Sequence, residues 1–159
     1  MKYQSQNKNS SIVTPGDLPQ REVIDTFFGV FRFLSNFHPC EATYGDLVFP
    51  SAEHAYQAAK TLDPKRRVWV LECNTPASAK RYGRKLKKRP TWESIKVDVM
   101  REVLWSKFAN PELGDLLLAT GDAILLEENN WGDRFWGVVD GDGQNVLGNL
   151  LMEIREELK

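Results

Sequence analysis

Apolar and polar positions divide the chain into a polar beginning, a short β-rich stretch and a long helical middle. Residues 1–20 carry Ser, Asn, Gln, Pro and Gly with little apolar periodicity, which predicts a flexible N-terminal arm ahead of a domain spanning 21–159. From Val23 to Phe33 the pattern turns aromatic and apolar (V-I-D-T-F-F-G-V-F-R-F), predicting one or two strands interrupted at Gly29. Leu34 to Pro39 reads as a loop, and Tyr44 to Phe49 as a strand entered through a turn near Gly45. Pro50-Ser51 stops that strand, with Ser51 placed to cap a helix.

Three further helix starts share one chemistry, a capping residue followed by proline at the first helical position: Asp63-Pro64, Thr75-Pro76 and Asn110-Pro111. The longest helix is expected from Thr91 to about Phe108, with Ile95, Val99, Val103 and Leu104 spaced for burial, as the central packing element. Ala119-Thr120-Gly121 ends the next helix, and Ala123 to Leu126 is a short strand candidate. Glu127 to Phe135 is a polar loop, Trp136 to Val139 another strand candidate, and Gly141-Asp142-Gly143 a turn before a last amphipathic helix from about Leu147 to Glu157. These elements define an α+β fold, a single mostly helical domain with a small β-sheet and no internal repeat.

Composition narrows the functional classes. With 21 Lys and Arg against 22 Asp and Glu, the net charge is near zero, so no global basic field recommends bulk nucleic-acid binding. No run approaches the ~18 apolar residues of a membrane span, and no secretion signal opens the chain, pointing to a cytoplasmic protein with no membrane partner. The two cysteines, Cys40 and Cys73, and two histidines, His38 and His54, match no common metal spacing, so no metal or other cofactor is expected and the thiols read as reduced and partly buried.

The densest chemistry lies in Ser51 to Lys60, S-A-E-H-A-Y-Q-A-A-K. Glu53, Tyr56, Gln57 and Lys60 fall at i, i+3, i+4 and i+7, along one side of a helix, and alanines fill most of the other positions. If that stripe faces a pocket it supplies a carboxylate, an amide, a phenol and an amine; a surface helix can show the same spacing. His54, adjacent to Glu53, diverges by about 100° around the helix and reads as structural. A second segment, Asn130 to Gly137 (N-W-G-D-R-F-W-G), brackets Asp133 with Trp131 and Trp136 and two glycines; Asp133 is either a second reactive carboxylate or the cap of a turn. Ser35-Asn36 lies between aromatic anchors in F-L-S-N-F, and Trp92 is either core or pocket wall. Lys80 to Arg89 holds seven basic residues, more often a solvated face, although Arg81 or Arg84 is able to reach a substrate phosphate.

Taken in order, F-L-S-N-F, F-P-S-A-E-H-A-Y-Q-A-A-K, T-W-E-S-I-K-x-x-V-M, L-L-x-T-G, W-G-D-R-F-W-G and N-V-L-G-N-L-L-M-E-I-R resemble the NADAR family over about Phe27 to Leu158. The resemblance implies an N-glycosidase that breaks a C1′–N bond between a ribose-type sugar and a nucleobase-like amine. One branch acts on ribosylaminopyrimidine 5′-phosphate intermediates of riboflavin synthesis; another removes ADP-ribose from modified guanine in nucleic acid. It also implies that Lys60 forms a Schiff base with the sugar, with Glu53 and Asp133 as acidic groups. Arg32, Ser35, Asn36, Tyr56, Gln57, Trp92, Trp131 and Trp136 are the candidates for binding substrate. Val138-Val139 stands where the riboflavin branch has a glycine-rich acidic run, which favours the ADP-ribosylated substrate. The alternative is a nucleotide or ADP-ribose binding module without catalysis, although a pure binder has no need of Glu53, Lys60 and Asp133 together. No obligate protein partner is evident.

Overall fold

The computed structural model of the chain describes residues 12–159. Strand β1 (Val23–Ile24) is followed by a 3-10 helix (Gly29–Leu34), the hairpin β2 (Pro39–Tyr44) and β3 (Leu47–Ser51), and helices α1 (Ala52–Ala59), α2 (Pro64–Leu71), α3 (Pro76–Gly83), α4 (Trp92–Phe108) and α5 (Pro111–Ala119). Strand β4 (Ile124–Leu125), a long loop and α6 (Val146–Glu157) complete it. The result is the expected α+β domain, helix-rich with two small sheets: β1 pairs parallel with β4, and β2 pairs antiparallel with β3 in the register Ala42↔Phe49, Tyr44↔Leu47. Among the described residues no helix is long and apolar enough to cross a membrane.

The proline-led helix starts are capped by the residues that announced them. Asp63 accepts from the Lys65 amide at 2.9 Å, Asn110 from the Glu112 amide at 2.9 Å, and Thr75 forms a capping box with Ser78. Ser51 ends β3 and caps α1 at once, its hydroxyl accepting from the His54 amide at 3.2 Å. The His54 ring lies between the Ser51 hydroxyl, 2.7 Å from Nδ1, and the Cys73 carbonyl, 2.9 Å from Nε2, so it joins the end of α2 to the start of α1.

Several elements differ from the pattern-based expectation. The aromatic run after Gly29 is a 3-10 helix, not a strand: Gly29 turns the chain with φ +57°, and Phe31 and Leu34, three apart, are buried. No long strand exists there to pair with an extended run, because β4 offers two residues. The stretch expected as one strand from Tyr44 to Phe49 holds the turn of a hairpin, whose first strand begins at Pro39, the end of the expected loop. Trp136 to Val139 forms only isolated bridges, Glu128 with Val138 and Val139 with Asp142. Much of the segment expected as an arm lies outside the described residues, up to Ser11; within its remainder Pro15–Asp17 makes one 3-10 turn and Leu18 is buried in the core.

The core is continuous from Phe49 through Val103 and Leu104 to Leu125, Leu151 and Ile154. Helix α4 packs against β2, α1, α5 and α6, yet the element most enclosed is α1, whose eight residues are all buried between α2, α3, α4 and the hairpin. Four alanines permit that enclosure, and one glycine completes it. A Cβ on Gly83 would lie 1.9 Å from Gln57 Oε1 and 3.0 Å from Gln57 Cβ, so α3 approaches α1 only because residue 83 has no side chain. We expect Gly83→Ala to displace the Gln57 side chain and to cost about 1–3 kcal/mol, as overpacking does. A urea midpoint equal to that of the parent would show that the two helices separate freely.

Candidate active site

Helix α1, the Ser35-Asn36 loop and the segment after β4 converge on a cavity of about 410 Å³. Glu53, Tyr56, Gln57 and Lys60 all line it, so the stripe faces a pocket. Ser35, Asn36, Arg32, Asp133, Trp131 and Trp136 line it as well. Trp92 does not: almost wholly buried, it packs behind Tyr56 at a ring distance of 5.2 Å, and Trp136 meets the same phenol edge-on at 5.5 Å. The two indoles thus fix the Tyr56 ring, over which Lys60 Nζ lies 5.4 Å from the centroid.

The loop wall is held from below. The Asn36 carbonyl accepts from the Glu53 amide at 3.0 Å, and Lys107, fully buried on α4, donates from Nζ to the Ser35 carbonyl at 2.8 Å. On the opposite side Asn145, in the left-handed region at φ +51°, accepts from the Glu127 amide at 3.0 Å and donates to the Leu125 carbonyl at 2.8 Å. The Val138 amide donates to the Glu127 carbonyl at 2.9 Å, and a Cβ on Gly137 would meet that same carbonyl at 2.2 Å. These contacts fix the backbone from which Glu127 enters the cavity.

Two residues that the sequence pattern left aside therefore belong to the site. Glu127 lies in what reads as a polar loop; its signal is position, two residues after the buried Leu125 of β4. Lys80 was counted with the basic run, but it precedes Gly83 by one helical turn and so shares the face that meets α1. Arg81 and Arg84, singled out from that run, do not line the cavity.

Burial sets the charge states. Glu53 is pushed above the usual carboxyl range chiefly by desolvation, opposed by the Gln57 amide, which donates to Oε1 at 2.7 Å, and by Lys80 and Lys60. Glu127 rises to about 8, through burial first and then the neighbouring Asp133 and Glu53 carboxylates, with Lys80 opposing. Lys60 falls to about 8 through burial; Glu53 resists the fall, while Lys88, Lys80 and Arg84 favour it. Asp133 caps the turn, its Oδ1 accepting from the Phe135 and Trp136 amides at 3.0 and 2.9 Å, and the residue also lines the cavity.

Asn36 Oδ1 and Gln57 Oε1 are buried with no partner among the described residues. Such acceptors cost about 1–3 kcal/mol each when unpaired, and Gln57 Oε1 abuts Gly83 of α3, where a Cβ would lie 1.9 Å away. The cavity thus offers an amine able to shed its proton near neutral pH and a carboxyl able to keep one. No cluster of three or more His, Cys, Asp or Glu side chains suited to a metal occurs among the described residues.

The family model for the NADAR domain matches residues 26–159. A protein of Vibrio vulnificus named as a riboflavin biosynthesis protein is 44% identical over 131 residues, covering 80% of this chain; the chain spans only 35% of that protein's length. The N-glycosidase YbiA of Escherichia coli (strain K12) is 41% identical over 140 residues, covering 77% of this chain and 87% of YbiA. The NMR structure of E. coli YbiA superposes with a TM-score of 0.77 at 38% identity, covering 89% of this chain and 87% of that one.

The raised Glu127 has a consequence for stability. Its carboxyl binds a proton more tightly in the folded chain, at about 8, than at its ordinary 4.5, so folding loses support as pH climbs from about 4.5 through 8. Glu127→Gln lacks this dependence. We expect the variant to melt above the parent at pH 8 and the gap to close at pH 4; equal melting temperatures at pH 8 would mean the carboxyl is not held protonated.

Proposed function

The chain belongs to the NADAR family, and on that premise we propose that it is an N-glycosidase, hydrolysing the C1′–N bond between a ribose-type sugar and a nucleobase-like amine. The observation that carries the reading is Lys60, an amine whose pKa is lowered to about 8, facing a carboxyl raised to about 8 across one cavity. Relatives named as N-glycosidases and riboflavin biosynthesis proteins support the same bond and favour a ribosylaminopyrimidine 5′-phosphate. ADP-ribosylated guanine is the second reading, favoured by Val138-Val139 after the Trp136-Gly137 pair.

In this mechanism the sugar lies in the cavity lined by Ser35, Lys60 and Asp133, and the base stacks against Trp131 or Trp136 at the rim. About a tenth of Lys60 is neutral at pH 7 for a pKa of about 8. Its Nζ forms a bond to C1′ as the C1′–N bond to the base breaks, and the departing nitrogen takes the proton of Glu127. Asp133 and Glu53 face the positive charge that grows on the sugar. Opening of the ring converts the adduct to an imine, and water then releases the sugar and restores the amine. At i+7 the Cα atoms of Glu53 and Lys60 stand about 10 Å apart, so their side chains serve different atoms of the substrate.

Incubation of the pure protein with ADP-ribosylated guanosine and with the early riboflavin intermediate, measuring free base and free sugar, assigns the substrate by which one is cleaved. Release from neither would favour the binding module without catalysis. With the cleaved substrate, we expect borohydride to trap a covalent adduct and Lys60→Ala to lose turnover by at least about a thousandfold while still binding. Near-normal turnover of that variant would remove the imine from the mechanism. Asp133→Asn retains an Oδ1 acceptor for the Phe135 and Trp136 amides, so its rate should fall by about 10²-fold or more with little change in melting temperature. A large fall in melting temperature would instead reduce Asp133 to a turn cap.

A further inference from the structure

A second cavity, about 590 Å³, lies on the other side of Lys60 from the catalytic pocket and shares no lining residue with it. Lys60 lines the first pocket and Thr61 the second, and the junction is fixed by the Arg89 amide donating to the Lys60 carbonyl at 2.7 Å. The walls come from the start of α2, the end of α3 and the segment joining α3 to α4.

The charge in this cavity is one-sided. Arg66, Lys85, Lys87, Lys88 and Arg89 line it against a single carboxylate, Asp63, whose Oδ1 is occupied by the Lys65 and Arg66 amides. The chain as a whole carries a net charge of −1, so the local excess does not follow from composition. Lys88 pairs with Glu93 at 3.3 Å, while Lys85 and Lys87 make no ion pair among the described residues. Arg89 donates from Nη1 to Tyr44 Oη at 3.1 Å, yet its Nε is buried with no partner. Cations gathered without counter-charges repel one another, and an anion relieves that repulsion.

The rest of the wall is apolar. Leu62, more than half exposed, stands with Leu86 and Pro90 beside the cations, and the Tyr82 ring is held by Arg66 Nη1 donating to its hydroxyl at 3.1 Å. The volume falls within the usual range of about 300–1,000 Å³ for small-ligand sites and exceeds what a lone phosphate needs. A ligand with an anionic end and a flat, largely apolar body matches both parts.

We propose that this cavity is a second binding site, for a nucleoside phosphate whose phosphate lies among Lys85, Lys87 and Arg89 and whose base packs against Leu62 and Leu86. Such a ligand is either a free nucleotide or one unit of a nucleic-acid strand; the chemistry that recognises it is the same. The site stands apart from the glycosidase reading, because its occupancy is measured without turnover.

Calorimetric titration of the full chain with adenosine 5′-monophosphate tests it, with adenosine as the control. We expect the nucleotide to bind, adenosine to bind at least about tenfold more weakly, and the affinity for the nucleotide to fall with added salt. Lys85→Glu combined with Lys87→Glu should weaken the nucleotide by at least about tenfold at unchanged melting temperature, since neither side chain has an ion-pair partner to lose. Lys60→Ala should leave its affinity within about twofold. No detectable binding to the parent, equal binding by the double variant, or binding lost in Lys60→Ala would overturn the proposal; the last would place the nucleotide in the catalytic pocket. A single strand of about twelve nucleotides, bound more tightly than the monomer and weakened by the same two substitutions, identifies the strand as the source; equal affinities identify the free nucleotide.

Discussion

Removing α1 from water is the constraint on which the rest of this structure depends. A helix carrying a carboxylate, a phenol, an amide and an imidazole is an expensive element to enclose, because each polar group must find a partner or keep a perturbed charge. The structure around it supplies the Ser51 hydroxyl and Cys73 carbonyl for His54 and the Asn36 carbonyl for the Glu53 amide, and the helix itself supplies the Gln57 amide for the Glu53 carboxyl. Two acceptors stay without a partner among the described residues, Gln57 Oε1 against Gly83 of α3 and Asn36 Oδ1 in the loop wall.

The same desolvation tunes the two groups that matter most for chemistry, in opposite directions. Lys60 comes down and Glu127 goes up because low polarity disfavours charge of either sign. Neighbours then trim the result: Glu53 and Asp133 add to the rise of Glu127, Lys80 and Lys88 add to the fall of Lys60, and Glu53 holds the amine back from falling further. Glu53, Glu127 and Lys60 therefore titrate as a coupled set within one cavity.

Much of this was legible in the sequence where a local rule governs. The capping pairs at Asp63, Thr75 and Asn110 gave helix starts because proline and a side-chain acceptor act within four residues. The stripe from Glu53 to Lys60 gave one pocket wall because helical spacing is fixed. What was not legible depends on distant partners. The run after Gly29 looks extended by composition but has no strand to pair with, and Trp136 to Val139 is shaped by Asn129, Asn145 and Glu127 instead of a sheet. Glu127 was invisible as a reactive group because a carboxyl acquires its character from burial, and burial there follows from Asn145 eighteen residues onward. Lys80 was hidden among six other cations, distinguished only by facing α1 through the gap that Gly83 leaves.

The enclosure of α1 also divides the site by how easily its parts open. An element with no exposed residue, clasped by three helices and a hairpin, loses its backbone hydrogen bonds only when the domain as a whole lets go, so its amides belong with the slowest to exchange with solvent. Trp131, by contrast, is more than half exposed on a loop that turns at the next residue, Gly132, at φ +89°. Ligand traffic is thereby assigned to the rim: the wall bearing Lys60 stays fixed, and any breathing that admits or releases a nucleobase belongs to the tryptophan side.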